Sequence, residues 1–274
     1  MDSAGSTVPA TRYIPAGHVL EEMARFGEER IGGLSAWQVL VLAAMGGAFI
    51  TAGALFATLL AVGHTTAGVV VLVEGMGFSA GFFFVVLSEA VLFTEANVVL
   101  PATMLERKAF AGRMLRFWLL AFVGNLLGAI VVGWLIRKAQ VYPHAVDEVL
   151  GEIVDRKMAY RDAGGVDSWM RAVLSGALAN WLIGMAAFFA TMARSIIGKY
   201  IPVFLAVTLF VAANFQHSPA NMGFFSLAIA GGGGPGWGAA LGWNLVPAGI
   251  GNVLGGALLV AVPFWYALRP RRAG

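Results

Sequence analysis

The stretch Asn214–Met222 reads NFQHSPANM and separates the apolar run YIPVFLAVTLFVAA from GFFSLAIA. It brings an imidazole, two asparagine amides, a glutamine amide and a helix-breaking proline into a strongly apolar setting. An imidazole changes charge near neutral pH and can hold or pass a proton, and amides donate and accept hydrogen bonds together. A second polar interruption, LFTEAN at 92–97, adds the hydroxyl of Thr94, the carboxylate of Glu95 and the amide of Asn97 to another apolar run. A third pattern, Gly77-Phe78-Ser79-Ala80-Gly81, matches G-x-S-x-G and, paired with His217, suggests an intramembrane serine protease. That motif draws its meaning from a strand-turn-helix elbow. Here it lies inside a continuous apolar helix, where Gly and Ser are ordinary packing residues. His18, His64 and His144 fall at surface positions, and no metal-ligand cluster or cofactor motif is expected.

These groups must be held by a membrane protein. The chain is 59% hydrophobic and 12% charged, with a mean hydropathy of +0.78, too apolar for one soluble domain of 274 residues. The first residues lack the short apolar core of a removable signal peptide, so the first spanning helix is expected to direct insertion. The absence of cysteine excludes disulfides and thiolate sites. A formal net charge of +3 gives no argument for nucleic acid.

Six apolar segments, at 36–62, 67–105, 115–137, 169–192, 200–229 and 244–268, are each long enough to cross a bilayer. The second is too long for one straight span and is broken at LFTEAN; the fifth is broken at NFQHSPANM. VGNLLGAIVVGWL at 123–135 repeats as IGNVLGGALLVAV at 250–262, each after a broken segment. Three spans per repeat forces the halves to be inverted in the membrane, which predicts a binding or selectivity site near the midplane where the breaks meet. Irregular backbone is tolerated there only inside protein or beside a water-filled path. The predicted fold is therefore an all-α polytopic membrane protein, with six transmembrane helices, an aquaporin-like inverted repeat and two broken helices. Residues 1–35 form an N-terminal segment, 36–268 the channel domain and 269–274 a basic tail. The Gly124/Gly128 and Gly251/Gly255 pairs are read as packing surfaces only.

With both termini cytoplasmic, Lys and Arg divide 12 inside to 6 outside, the sense of the positive-inside rule. The stretch from Pro15 to Arg30, with Leu20, Met23 and Phe26 on one face, is predicted to be an amphipathic helix anchored at the cytoplasmic surface. The polar loop between the third and fourth segments is expected to hold a short surface helix. Glu74 is expected to be a solvated carboxylate near the outer end of the second segment.

NFQHSPANM, LFTEAN, ALANWLIG at 177–184 and the paired GN-x-x-G motifs, in this order, resemble the formate/nitrite transporter family over residues 15 to 268. The resemblance implies a homopentamer of aquaporin-like protomers in a lipid bilayer, a bacterial inner membrane. Each protomer would carry one pore for small monovalent anions of weak acids. By motif, His217 corresponds to the family's central histidine, with Thr94 and Asn180 beside it. Leu92, Phe93, Glu95, Asn97, Gln216 and Asn221 fall in the broken-helix loops, and Phe78, Phe82, Leu92 and Phe210 at apolar constrictions. The protein is expected to be a channel rather than an enzyme, with no catalytic residues.

The chemistry suits these residues. A bare anion loses hydration in an apolar slit at a cost of many kcal/mol, but a weak acid can accept a proton and pass as the neutral form. His217 is the expected relay, Thr94 and Asn180 are expected to set its tautomer, and the phenylalanines would exclude hydrated ions. The chain departs from the family pattern in three places. Val91 stands where most members have an acidic residue, Glu95 where a small residue is usual, and Gln216 where the family has glutamate. Either Glu95 replaces the missing partner of His217, or it faces the pore, repels anions and favours a neutral or cationic solute such as ammonia or ammonium. A neutral-solute channel of the aquaporin type lacks its Asn-Pro-Ala motif here. The family's vestibule lysine has no match by motif, which leaves Arg161 or Arg171 in its place.

Overall fold

A computed structural model describes residues 13–107 and 111–268. The expected basic tail and Arg12, Lys108, Arg269, Arg271 and Arg272, which enter the charge division, lie outside the described residues. The described chain is helical: α1 (Ala16–Gly33), α2 (Ala36–Ala61), α3 (Ala67–Ser88), α4 (Phe93–Arg107), α5 (Ala111–Ala139), α6 (His144–Ala163), α7 (Gly165–Met192), α8 (Ile196–Ala212), α9 (Ser218–Ala230) and α10 (Trp237–Leu268). Five of these, α2, α3, α5, α7 and α10, are long and apolar enough to cross a membrane by themselves. The remaining segment is split into the shorter helices α8 and α9, as the break at NFQHSPANM predicts.

The repeat orders the packing. α2 lies against α3 and α5 in the first half, and α7 against α8 and α10 in the second. The GN-x-x-G glycines permit this closeness. A Cβ on Gly128 would strike the backbone of Ala44, and one on Gly255 the backbone of Ala177. α10 is not a regular helix throughout: it widens into π-helical turns at Leu241–Leu245 and Gly255–Ala261, a local change often found where a helix borders a functional site.

Two extramembrane helices sit at opposite ends of the bundle. α1 buries Val19, Leu20, Met23, Ala24 and Gly27, packing with Val98 and Val99 of α4, Phe188 of α7 and Val260 of α10. Its apolar stripe is thus covered by the protein itself and not by lipid, which corrects the reading of α1 as a simple interfacial anchor. α6, the expected surface helix of the longest polar loop, buries Val146, Leu150, Ile153, Val154, Lys157 and Met158 and packs on α9. Since α5 runs from the α1 end to the α6 end, the bundle has an α1 mouth and an α6 mouth.

Candidate functional site

Each break is tied by one asparagine of a GN motif. In the first, Asn125 Oδ1 accepts from Phe93 N–H at 2.9 Å, while its Nδ2 donates to the carbonyls of Val91 at 2.9 Å and Ala43 at 2.8 Å. In the second, Asn252 Oδ1 accepts from Ser218 N–H at 2.9 Å, and its Nδ2 donates to the carbonyls of Gln216 at 3.0 Å and Gly176 at 2.8 Å. Breaking a helix orphans backbone donors and acceptors; one buried amide in each half satisfies two of them and anchors the break to a neighbouring intact helix, α2 through Ala43 or α7 through Gly176. Each break also has a non-glycine residue at positive φ, Glu89 at 55° and Asn214 at 53°, four positions before the next helix. The asparagines were legible as a repeated GN, yet composition alone shows only the packing role of the glycines.

His217 caps α9. Ala220 N–H donates to its Nδ1 at 3.1 Å, so the neutral ring carries its proton on Nε2. The backbone therefore sets the tautomer, rather than Thr94 or Asn180 as the sequence led us to expect. Asn180 is nonetheless close by. Its Nδ2 donates to the Asn252 carbonyl at 2.6 Å and to the Thr94 carbonyl at 3.2 Å, which joins the two breaks. Four polar atoms around the breaks, His217 Nε2, Thr94 Oγ1, Asn180 Oδ1 and Asn221 Oδ1, are buried with no hydrogen-bond partner among the described residues. An unsatisfied buried polar atom costs about 1–3 kcal/mol, which several neighbouring groups sustain where a polar solute or water passes.

Aromatic rings lead from His217 toward the α6 mouth. Phe210 lies 5.1 Å from the imidazole, Phe78 packs edge-on to Phe210 at 5.9 Å, and Phe224 stacks on Phe78 at 5.7 Å. The Lys157 ammonium stands over Phe224 at 5.3 Å. Of the sequence-predicted constriction residues, Phe78 and Phe210 come together here. Phe82 instead lines a cavity of about 240 Å³ at the α1 mouth, with Glu22, Arg25, Glu89, Glu95 and Lys199 among its walls. Leu92 is buried at the break and borders the same mouth together with Glu95.

Of the residues expected in the broken-helix loops, the structure places Leu92 and Gln216 there, whereas Phe93, Glu95 and Asn97 lie in the first turns of α4 and Asn221 in α9, because each helix restarts within its polar motif. Phe93 packs on Phe122 at 5.2 Å. Gln216 Oε1 accepts from the amides of Asn221 and Asn244, both at 2.9 Å, and Asn244 donates in turn to the Lys157 carbonyl at 2.8 Å. The amide at the family's glutamate position therefore fastens α6 to the second break. Asn97 is fully buried, and neither atom of its amide has a protein partner; nothing in the structure assigns it a role.

Two readings change. Glu74 is 3% exposed, and both of its oxygens accept from Arg156 Nη2, at 2.6 and 2.7 Å, so it is a buried ion-paired group rather than a solvated one. The buried cation at the α6 mouth is Lys157, beside Arg156, and sequence reasoning missed it along with Phe224. Arg161 pairs with Asp162 at 2.8 Å, and Arg171 is exposed. Lys157 lies on α6, between two spans, where burial foremost lowers its pKa to about 8; Glu74 opposes the shift and Arg156 adds to it. Lys157 shares the buried stripe of α6 with Ile153, Val154 and Met158. Ser79 Oγ donates to the Met76 carbonyl at 2.6 Å, and its flanking glycines lie against the backbone of α2, which is packing rather than a Ser/His pair.

The formate/nitrite transporter family model matches residues 17–266. A probable formate transporter from Methanothermobacter thermautotrophicus is 32% identical over 242 residues, covering 84% of this chain and 88% of that protein. The formate channel FocA of Escherichia coli K12 is 30% identical over 248 residues, covering 82% and 84%. Among solved structures, an FNT family ion channel covers 92% of this chain and 98% of its own, with a TM-score of 0.78 at 23% identity. A pentameric formate channel with formate bound covers 84% and 96%, with a TM-score of 0.70 at 23% identity. With its two asparagine-tied breaks, its inverted repeat and this match over nearly its whole length, the chain belongs to the formate/nitrite transporter family of integral, multi-pass membrane proteins.

Proposed function

We propose that the protein moves small monovalent anions of weak acids, such as formate or nitrite, together with a proton. In this reading it forms a homopentamer in a bacterial inner membrane, with one pore in each protomer. Both termini are cytoplasmic, so α1 closes the inner end of the 36–268 channel domain and α6 covers the outer mouth. The observation that carries this reading is His217 Nε2, a buried donor without a protein partner, separated by a file of phenylalanines from the buried Lys157 ammonium. The ammonium attracts the anion to the outer mouth. The rings of Phe78, Phe210 and Phe224 strip its water, which raises its proton affinity. It takes a proton from the water of the outer mouth and passes as the neutral acid, while Nε2–H, Thr94 Oγ1 and Asn180 Oδ1 satisfy its oxygens and its proton. Nothing is cleaved or made, so the protein is a channel and not an enzyme.

A second reading, permeation of ammonia or ammonium, is favoured by Glu95, which lines the α1-mouth cavity with Glu89 and Glu22. Arg25 and Lys199 line the same cavity and offset that charge.

Flux of formate, nitrite and methylammonium in proteoliposomes under an imposed pH gradient tests both. Anion uptake should rise with outside acidity and collapse in His217→Ala. It should also fall as the outside pH passes about 8, where Lys157 loses its charge, and Lys157→Arg should move that fall to higher pH. Methylammonium flux without anion flux would establish the second reading instead.

A further inference from the structure

The α6 mouth holds two adjacent cations, Arg156 and Lys157, and one buried carboxylate, Glu74 of α3. The carboxylate is bonded to Arg156 through both oxygens. Lys157 is itself within electrostatic range of Glu74, yet its ammonium stands over the Phe224 ring. The backbone fixes this choice: the Asn214 amide donates to the Arg156 carbonyl at 3.4 Å and the Asn244 amide to the Lys157 carbonyl at 2.8 Å. Arg156 is also the more exposed of the two, with its side chain 34% accessible, while Lys157 is 5% accessible as a residue.

We propose that Glu74 and Arg156 form a specificity-determining pair, in which Arg156 occupies the buried carboxylate and so leaves the Lys157 charge uncompensated for an incoming anion. The anion class rests on the function proposed above; the pairing rests on the geometry alone. Other groups do not alter the balance. α2, α9 and α10 bring no charged side chain to Lys157, and Asp167 and Arg171 of α7 are exposed. His217, at the head of α9, interacts electrostatically with Lys157 across the phenylalanines.

The pair acts differently when either half is removed. In Glu74→Gln, Lys157 loses a favourable charge and keeps the repulsion of Arg156, so its titration moves to lower pH. In Arg156→Gln, Glu74 turns to Lys157, whose titration moves to higher pH while its charge is cancelled. In the double variant the opposing effects are both gone.

Trace acetylation of Lys157 across a pH series, read by mass spectrometry, measures that titration without any substrate. The midpoint should fall by about one unit in Glu74→Gln, rise by about one unit in Arg156→Gln, and return near wild type in the double variant. In parallel, Arg156→Gln should raise the formate KM several-fold with little change in maximal rate, and the double variant should recover it to within about twofold. A midpoint identical in all four proteins would overturn the pairing and leave a structural strut. A KM equally raised in Arg156→Gln and the double variant would also overturn it, making Arg156 itself the attractant. If wild type carries no weak-acid anion, the function proposed above fails, and the acetylation series still decides the pairing.

Discussion

At the break between α3 and α4, Asn125 of α5 satisfies Phe93 N–H and the Val91 carbonyl; at the break between α8 and α9, Asn252 of α10 does the same for Ser218 and Gln216. The positions correspond one by one, including Glu89 and Asn214 at positive φ. Set in this register, His217 faces Leu92, Gln216 faces Val91, and Ala220 faces Glu95. The first break therefore offers an apolar side chain where the second offers an imidazole. The backbone device is duplicated and the chemistry is not. A pore needs two breaks to open a path at midplane, but it needs only one titratable group along that path.

The sharpest way to break this comparison is to remove the shared device. Asn252→Leu leaves Ser218 N–H and the Gln216 carbonyl of the break without their partner in a buried site and removes a further bond to the Gly176 carbonyl of α7. Asn125→Leu does the same to Phe93 N–H and the Val91 carbonyl and removes the bond to the Ala43 carbonyl of α2. Each substitution should cost about 3 kcal/mol or more, read as a large fall in the melting temperature of the purified oligomer. Equal losses would establish the two clamps as equivalents.

The next effect falls on function. His217→Leu gives the second break the side chain of the first and removes one capping bond, worth about 1 kcal/mol. Formate flux should drop by about 100-fold, while the oligomer stays folded. Flux kept within twofold would refute a relay role for His217. The smallest effect belongs to Glu95→Ala, which gives α4 the residue that α9 has. Its carboxylate shares the α1-mouth cavity with Arg25 and Lys199, so formate flux should change by less than about fivefold. A rise in formate flux with loss of methylammonium flux would instead assign Glu95 to cation selection.

The first break also shows where reading the sequence stops. Thr94, Asn180 and His217 could be named from their motifs; in the structure the Asn180 amide donates to the Thr94 and Asn252 carbonyls, while His217 Nδ1 accepts from Ala220 N–H. Lys157 and Phe224 could not be so named, because a lysine in a polar loop and a phenylalanine in an apolar run match what a surface or a core already requires. The partner of Glu74 was equally hidden. Arg156 lies 82 residues further along the chain, on a helix whose docking is specified by no local pattern.

The sequence by itself determined the apolar segments, the existence of both breaks, the repeat and the polar set around His217, while the helices restart within the two polar motifs. These follow from hydropathy, from proline and from short motifs, all of which act within a few residues of themselves. Only the tertiary structure decided which amide clamps each break, which nitrogen of His217 carries the proton, and which cation at the α6 mouth is left unpaired. The clamps and the ion pairing depend on groups from helices far apart in sequence meeting within hydrogen-bond distance, where burial makes an unsatisfied partner too costly to leave alone, while the tautomer follows from the turn that brings Ala220 N–H back onto Nδ1.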